Sequence, residues 1–422
     1  MSPEGYAPLS TETVAARLAP LPAVAQRLGG GPADWTAAEV GDGNLNLVFI
    51  LTGPEGQLIA KQALPYVRLV GDSWPLPLER SWFEYNALVR HAARDPGSVP
   101  EVYHFDRDQA LIVMEFMTGH RILRRDLIDG VEHPGIADFL GRFCARTLFL
   151  SSDLGMPTPE RKADLALFAA NVALCDITEN LVFTDPYWDA PLNRHTSPQL
   201  DALVAELRAD AALKVEAQHL KSAFCANAEA LLHGDLHTGS VMALGEHAVV
   251  IDPEFAVYGP MGFDVGMLIS NFLMAYHAQP GHEPAPGARA AFGDWILAAA
   301  SDIWSHFADE FSALWRSQRT GILYPPKLYE DQGQILASEQ ALTERLAAIW
   351  TDAMGFCGVE MHRRILGLAH NADFEAIADT DRRAACEARS LRLGRQLIRT
   401  RRSIRGMDEV CALARRIDEG FA

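Results

Sequence analysis

The sequence has few cysteines, no long uninterrupted apolar segment and no excess of positive charge. Its six cysteines lie far apart, with no Cys-x-x-Cys pair, which argues against a disulfide framework or a cysteine-based metal site. The N-terminal segment lacks the basic and apolar regions of a secretion signal, and the most apolar later run, at 262–276, is short and contains Asp264 and Asn271. These absences predict a chain that stays in the reducing cytoplasm and does not enter a membrane.

The charge balance excludes another class of function. The formal net charge is −18, so the molecule as a whole is not expected to bind the phosphate backbone of a nucleic acid. The exception is the stretch 382–405, which holds nine arginines and one acid, Glu387. This stretch is either a solvated helix face or a local site for phosphates or a partner.

The length and the order of patterns predict two lobes. A chain of 422 residues with 49% hydrophobic composition is long for one core. Alternating apolar residues predict strands at 45–51 and 57–63 joined by a Gly-Pro-Glu-Gly turn, and helical spacing follows at 78–94. Two more strand patterns come next, and the remainder is mostly helical, with stretches near 133–151, 163–176, 198–230, 288–315, 336–356 and 359–371. We therefore predict an α+β, bilobal, protein-kinase-like fold: a small antiparallel-sheet N-lobe at 1–117 and a larger, mostly helical C-lobe at 118–422.

Two patterns in the first lobe suit a nucleotide. The glycine-rich segment 41–49 lets the backbone approach an anion, and Asn44 could donate a hydrogen bond to a phosphate. Lys61 lies in the second predicted strand, where it is either a phosphate-binding cation or a surface lysine on an edge strand. Its carboxylate partner would be Glu84 or Glu79, and the sequence does not decide between them.

The C-terminal lobe contains two carboxylate motifs. In LLHGDLHTGS (231–240), Asp235 is the candidate catalytic carboxylate, and the two histidines are expected to brace the loop by hydrogen bonds. In IDPEF, Pro253 forces a turn after an apolar strand, and the flanking Asp252 and Glu254 offer the hard oxygen ligands that Mg²⁺ prefers. Asp264, at the start of a predicted helix, is expected to be an N-cap.

The motifs together resemble those of a known family. HGDLHTGS, followed by IDPEFAVYGPMGFDVG, GNLNLVF, DSWPL (72–76) and RRILGLAHNADFE (363–375), is similar to the signature of the 5-methylthioribose kinases, within the choline kinase and aminoglycoside phosphotransferase group. The resemblance implies phosphorylation by ATP of the 1-hydroxyl of 5-methylthio-D-ribose, a step of methionine salvage, with Mg²⁺ and in a homodimer.

The resemblance also implies roles for individual residues. Asp235 would meet the sugar hydroxyl, and Arg363 and Arg364 would grip the sugar and the transferring phosphoryl group. The ATP site would comprise Asn44, Lys61, the adenine-side hinge Glu115, Phe116 and Met117, and the metal and phosphate turn Asp252, Pro253 and Glu254.

Three matters stay open at this point. Ser240 stands where wider kinase patterns have a metal-binding Asn, so either Ser240 or Glu254 would take that place. Neighbouring arginines on a helix point about 100° apart, so we expect Arg363 and Arg364 to lie at a helix N-terminus or in a turn before it, after a break at Gly355 or Gly358. The alternatives to a methylthioribose kinase are an enzyme acting on another sugar, choline or an aminoglycoside, and a nucleotide-binding pseudokinase.

Overall fold

The computed structural model describes residues 5–41, 45–67 and 71–418, except for the side chains of 71–73. Contacts divide the chain into two compact units. The first unit comprises the chain up to His120 together with Asn171–Leu174 and Val249–Ala256, and the second comprises the remainder. The Asp-Pro-Glu turn at 252–254 therefore belongs by its contacts to the first unit.

The first unit is built on an antiparallel sheet. Its five strands have the order β1-β2-β3-β7-β6. The elements before His120 are α1 (Val14–Leu18), α2 (Pro22–Leu28), a 3-10 turn (Pro32–Asp34), β1 (Thr36–Glu39), β2 (Asn46–Thr52), β3 (Gln57–Ala63), β4 (Tyr66–Val67), β5 (Gly71–Pro75), α3 (Arg80–Arg94), β6 (Val102–Asp106) and β7 (Leu111–Glu115).

The alternation of side chains between the two faces of β2 and β3 sets the position of Lys61. Phe49 and Leu51 of β2 and Leu58 and Ala60 of β3 are buried in one core cluster, which also takes side chains from the N-terminal helices. In the registers, Lys61 lies opposite Val48 of β2 on one side and Ile112 of β7 on the other. Because β3 is a central strand, the interpretation of Lys61 as an edge-strand surface lysine is wrong.

The second unit is mostly helical, and its few strands are short. β8 pairs with β10, and β9 pairs with β12. From residue 121 onward the elements are β8 (Arg121–Ile122), α4 (Leu123–Asp129), α5 (Ile136–Ser151), α6 (Thr158–Phe168), α7 (Val172–Leu181), a 3-10 turn (Asp185–Tyr187), α8 (Asp201–Ala209), α9 (Ala211–Ala226), β9 (Ala230–Leu231), a 3-10 turn (Thr238–Ser240), β10 (Val241–Leu244), β11 (His247–Val250), β12 (Tyr258–Gly259), α10 (Gly262–His282), α11 (Ala290–Ser317), 3-10 turns (Pro326–Leu328, Glu330–Gln332), α12 (Ile335–Leu366), α13 (Ala372–Glu375), α14 (Thr380–Thr400) and α15 (Met407–Asp418).

The core of the second unit surrounds α10. Nearly all side chains of this helix are buried, and it packs against α11, α12 and α14. A mostly apolar helix that is buried on nearly all sides is stable only when other elements surround it, and here they do. The antiparallel N-terminal sheet and the mostly helical remainder confirm the predicted α+β fold class.

The predicted break at Gly355 or Gly358 is wrong. A single helix, α12, runs from Ile335 to Leu366, where two helices had been expected. These glycines serve close packing: a Cβ on Gly358 would lie 2.5 Å from the carbonyl oxygen of Gly394 in α14. The long predicted helix at 198–230 is in turn divided, because Asp210 caps α9 through a 3.0 Å bond from the Leu213 N–H.

The arginine-rich stretch forms α14 and the segment that follows it, and several of its side chains make ion pairs within the second unit. Arg395 contacts Glu206 at 2.5 Å and Asp210 at 2.8 Å, and Arg402 contacts Glu216 at 2.9 Å. Arg401, which is buried, also pairs with Glu216. These arginines are thus paired with Glu206 of α8, the N-cap residue Asp210 of α9 and Glu216 of α9. The face is therefore less solvated than the solvated-helix interpretation assumed.

The helices and cysteines bear on the expectations about membranes and disulfides. Within the described ranges no single helix is long and apolar enough to cross a membrane, although one bent pair, Thr158–Phe168 with Val172–Tyr187, passes by length and composition. All six cysteines are free thiols.

Candidate active site

Lys61 is the cation of a carboxylate cluster in the first unit. Its Nζ donates to Oε1 of Glu84 at 2.7 Å and also contacts Oδ1 of Asp252. Glu84 lies in α3 and is buried, whereas Glu79 occupies the N-cap position of that helix. The structure therefore pairs Lys61 with Glu84 rather than with Glu79.

The carboxylate cluster consists of Glu84, Asp252 and Glu254. Each of them offers one oxygen, and these oxygens all lie within 4.8 Å of one another. Asp252 has a left-handed backbone, with φ of 68°, which a non-glycine residue adopts at a cost in conformational energy. Its side chain is 47% exposed, so the surrounding turn presents this carboxylate to solvent.

Polar residues that the sequence did not single out fix Glu254. Asn46 donates to Oε2 of Glu254 at 3.1 Å, and the buried Arg80 approaches the same oxygen at 3.5 Å. Arg80 also donates at 2.6 Å to the carbonyls of Leu45 and Leu64, which ties the cluster to the sheet. The Asn171 amide donates to the backbone carbonyls of Glu254 and Ala256 and so holds the turn.

The charges of this cluster are unequal in number. Three carboxylates face two cations, Lys61 and Arg80. Burial opposes protonation of Lys61, but the Asp252 and Glu84 carboxylates outweigh it and raise its pKa, so Lys61 stays charged. Burial raises the pKa of both Glu84 and Glu254, and the neighbouring acids raise it further. A divalent cation such as Mg²⁺, which prefers hard oxygen ligands, would relieve the mutual repulsion of these three carboxylates.

The loop that carries Asp235 belongs to the second unit and depends on a tight turn. Gly234 has φ of 87°, which favours glycine. The Asp264 carboxylate accepts backbone N–H bonds from His233 at 2.6 Å and Gly234 at 3.1 Å. The expectation that Asp264 caps its own helix is wrong: Met261 holds the N-cap position, and Asp264, the third residue of α10, fastens this loop instead.

Asp235 is held by the two arginines named from the sequence. Its Oδ1 accepts from Nη1 of Arg363 at 3.0 Å and from Nη2 of Arg364 at 2.9 Å. Both arginines occupy the last turn of α12, so the predicted N-terminal location is wrong. The guanidinium groups converge despite the angle between the residues because the arginine side chain is long and flexible.

A buried glutamate completes this arrangement, and we call Asp235, Glu360, Arg363 and Arg364 the arginine–carboxylate cluster. Glu360 accepts from Nε of Arg364 at 2.5 Å and from Nη1 of Arg363 at 3.1 Å. Burial by itself raises the pKa of Asp235, but the Arg363 and Arg364 charges reverse this and hold it well below its usual range. The sequence signal for Glu360 was its spacing of three and four residues before the arginines, which places it on the same helix face.

Loop residues around Asp235 hydrogen-bond to one another. The N–H of Asp235 donates to Nδ1 of His233 at 3.3 Å, and the N–H of Gly239 donates to Nδ1 of His237 at 2.9 Å, which confirms the expected bracing role. Burial lowers the pKa of His237 to about 4, so its ring is neutral near pH 7. Ser240 Oγ donates to the loop carbonyls of Asp235 and His237, at 3.0 and 2.9 Å.

The remaining predicted residues lie at the end of the sheet. Glu115 ends β7, and its side chain accepts from the Glu101 N–H at 3.1 Å. The carbonyls of Phe116 and Met117 accept from the next turn, at 2.9 and 3.2 Å. Asn44 lies outside the described residues, so its phosphate-binding role stays a prediction.

These parts define a class of protein. A strand lysine paired with a helix glutamate, two carboxylates in the turn after a strand, and an Asp in a His-Gly-Asp loop are the elements of a kinase-like phosphotransferase. The model of the family described as "Phosphotransferase enzyme family" matches residues 36–303. The chain is therefore an enzyme of the kinase class.

Relatives narrow the class further. Methylthioribose kinase 1 of Oryza sativa subsp. japonica is 43% identical over 410 residues, which cover 96% of this chain and 95% of the relative. Methylthioribose kinase of Escherichia coli O45:K1 (strain S88 / ExPEC) is 42% identical over 414 residues, 98% of each chain. The chain belongs to the methylthioribose kinase family, and the resemblance drawn from its motifs is confirmed. A solved structure of glucosamine kinase is 15% identical, covers 84% of this chain and 85% of its own, and has a TM-score of 0.44.

Proposed function

We propose that this chain transfers the γ-phosphoryl group of ATP to the anomeric hydroxyl of 5-methylthioribose. A bond forms between the acceptor oxygen and phosphorus, the bond from phosphorus to the β–γ bridging oxygen breaks, and the hydroxyl proton passes to a carboxylate. The products are ADP and methylthioribose 1-phosphate, which places the enzyme in methionine salvage. The observation that carries the acceptor assignment is the convergence of Arg363 and Arg364 on Asp235, taken with the names of the relatives.

The first unit supplies the nucleotide side of this proposal. Lys61, held by Glu84, would pair with ATP phosphates as a fixed cation. Asn44 and the segment Glu115, Phe116 and Met117 would complete the contacts to phosphate and adenine, as the family resemblance implies. The left-handed backbone of Asp252, followed by Pro253, supports a turn shaped for phosphate and metal.

The carboxylate cluster would hold magnesium. Asp252 and Glu254 are the proposed ligands, and the fit rests on three carboxylate oxygens that lie within 4.8 Å of one another and repel one another when ionised. When bound, the metal would neutralise charge on the ATP phosphates. Glu84 would stay with Lys61, because that lysine needs a fixed partner to keep its position.

The second unit supplies the acceptor side. Asp235 would orient the attacking hydroxyl and accept its proton late in the transfer. Guanidinium groups match phosphoryl and hydroxyl oxygens and stay charged at every relevant pH. Two arginines beside Asp235 disfavour cationic acceptors such as choline and aminoglycosides, which would be repelled and would lack an acidic or aromatic cage.

We also propose a cellular location and an oligomeric state for the enzyme. Six free thiols support a reducing, cytoplasmic location. A homodimer is proposed from the family resemblance, and light scattering of the purified protein would give the mass to compare with twice 46.3 kDa.

A coupled ADP assay tests the proposed function. The acceptors are methylthioribose, ribose, choline and kanamycin, each with magnesium and with a chelator. We expect fast turnover with methylthioribose or a close 5-substituted ribose and loss of activity on chelation. Equal or faster turnover with choline or kanamycin would refute the assignment, and absence of turnover with every acceptor would favour a pseudokinase. Asp235→Asn lacks the proposed proton acceptor and is the low-activity reference, and its kcat should fall by about 10²–10⁴-fold.

A further inference from the structure

Glu360 is a charged residue placed where charge is costly. Its side chain is fully buried in α12, and burying a carboxylate is unfavourable unless it is paired and hydrogen-bonded. Its partners are Arg363 and Arg364, three and four residues further along the same helix. Glu360 does not contact Asp235 directly, so any effect on that residue passes through the arginines.

Each arginine is held from two sides. Nη1 of Arg363 lies 3.1 and 3.3 Å from the Glu360 oxygens and 3.0 Å from Oδ1 of Asp235. Arg364 uses Nε for Glu360 at 2.5 Å and Nη2 for Oδ1 of Asp235 at 2.9 Å. An arginine side chain has many rotamers, and a second carboxylate behind it removes most of that freedom.

The consequence is that the two oxygens of Asp235 differ. Oδ1 accepts from both guanidinium groups, whereas among the described residues Oδ2 has one hydrogen-bonding or ion-pairing partner, Nε2 of His237 at 3.3 Å. Nδ1 of His237 accepts the Gly239 N–H at 2.9 Å, so the proton of the neutral ring lies on Nε2. Oδ2 therefore has one polar contact, at 3.3 Å, and lone-pair capacity left for an incoming hydroxyl.

We propose that Glu360 is a positioning residue that fixes Arg363 and Arg364 on Oδ1 of Asp235 and so reserves Oδ2 for the acceptor hydroxyl. The inference rests on the proposed function to the extent that Asp235 meets that hydroxyl. Glu360 does not touch substrate; it determines which oxygen of Asp235 receives the proton. The arrangement also keeps the buried charges balanced, with two carboxylates and two guanidinium groups.

Glu360→Gln is the first test, because it keeps the size of the side chain and removes its charge. Loss of precise arginine placement should lower kcat by about 10–10²-fold, in line with the effect of small misplacements in active sites, while the KM for ATP stays near wild type. Glu387→Gln is the matched control: Glu387 is buried in the same unit, on α14, and lies outside the arginine–carboxylate cluster. An unchanged kcat for Glu360→Gln, or an equal loss in the control, overturns the proposal.

A double-mutant cycle separates positioning from general stability. In the Asp235→Asn background, Glu360→Gln should reduce the residual rate by less than about threefold, because residues acting through one group are not additive. An equal fold-loss in both backgrounds would mean that Glu360 acts independently of Asp235, and the proposal would be wrong. Glu360→Asp, which keeps the charge, should retain more activity than the Gln variant, and it replaces that variant in the cycle if Glu360→Gln does not fold.

The cycle distinguishes failure of this proposal from failure of the proposed function. If methylthioribose is not the acceptor, the panel of acceptors shows it with the wild-type protein alone. The cycle is then run with whichever acceptor is turned over, and coupling between Glu360 and Asp235 is still expected. Additive losses with a good acceptor contradict the positioning role and leave the assigned reaction intact.

Discussion

Two aspartates identified from the sequence have different surroundings. Asp235 lies under two guanidinium groups, which depress its pKa, so it remains ionised well below the pH range in which enzymes are assayed. A carboxylate with so low a pKa is a weak base, so the role proposed for it is to orient the hydroxyl and to accept a proton that leaves late. Asp252 is instead paired with Lys61 in a turn with a left-handed backbone, which suits a ligand for a cation.

Ser240 and Glu254 are the two candidates for the metal-binding role that an Asn has in wider kinase patterns. Ser240 Oγ is engaged in bonds within its own loop, to the carbonyls of Asp235 and His237. Glu254 brings a full negative charge to the carboxylate cluster. We expect Glu254→Gln to raise the magnesium concentration needed for half-maximal rate by about 10–10²-fold, the range seen when groups supporting a metal are removed. Ser240→Ala should raise that concentration much less, since a hydroxyl carries no charge.

Magnesium titrations of the rate at saturating ATP measure both variants. A larger shift for Ser240→Ala than for Glu254→Gln would assign the metal to Ser240. Thermal unfolding of the same samples checks that Ser240→Ala, which loses loop hydrogen bonds, is still folded under assay conditions.

At the scale of elements, local patterns predicted what local forces determine. The β2–β3 hairpin and α3 follow from alternation, a Gly-Pro-Glu-Gly turn and helical spacing, and each was predicted within a few residues. Strand β1 was missed because its four residues, Thr36–Glu39, are mostly exposed and have no apolar alternation. Its position is set by pairing with β2, a contact that the sequence does not reveal.

The candidate site divides in the same way. Asp235, Asp252 and Glu254 were named from motifs, and Arg363 and Arg364 from the family resemblance. The residues that support them were not named. Arg80, Asn46 and Asn171 act across long sequence separations, for example between Asn46 and Glu254. Asp264 was given a local role because N-caps are common at such positions, and the tertiary contact to His233 prevailed.

Helix α12 packs closely against α14 at two glycines. Gly358 faces Gly394, and a Cβ there would lie 2.5 Å from the Gly394 carbonyl oxygen and 2.6 Å from Cγ1 of Ile398. Alanine is the better helix former, but α12 and α14 would have to separate to admit the methyl group. We expect Gly358→Ala to destabilise the protein by about 1–3 kcal/mol, as overpacked cores do.

Urea unfolding measures this change, and Gly406→Ala is the matched control, because a Cβ at Gly406 has no atom within 4 Å. A Gly358→Ala protein as stable as wild type would show that the glycine is kept for another reason. Because α12 carries Arg363 and Arg364 at its end, the variant should also lose activity if the helix shifts.

At the scale of the whole molecule, the net charge of −18 conceals acids of two kinds. Asp210 and Glu216 have lowered pKa values: burial opposes this, but hydrogen bonds, together with arginines of the stretch 382–405, prevail. Such groups stabilise the fold above their ordinary pKa and lose that contribution as the pH falls. Glu387, in the same stretch, is the opposite kind, because burial raises its pKa to about 7 from an ordinary 4.5.

The raised pKa of Glu387 makes the stability of the fold depend on pH. Between pH 4.5 and 7 the unfolded chain releases this proton while the folded chain retains it, so the free energy of unfolding falls as the pH rises. Above pH 7 the loss is complete and amounts to at most about 3 kcal/mol for a pKa difference of this size.

Glu387→Gln removes the titration and keeps a similar shape. The free energy of unfolding of the variant minus that of wild type should therefore be more positive at pH 8 than at pH 5. Urea unfolding of both proteins at both pH values measures this difference. Other titrating groups are the same in the two proteins and cancel in the comparison. A variant whose stability differs from wild type by the same amount at pH 5 and pH 8 would mean that Glu387 is already ionised in the folded state across this range.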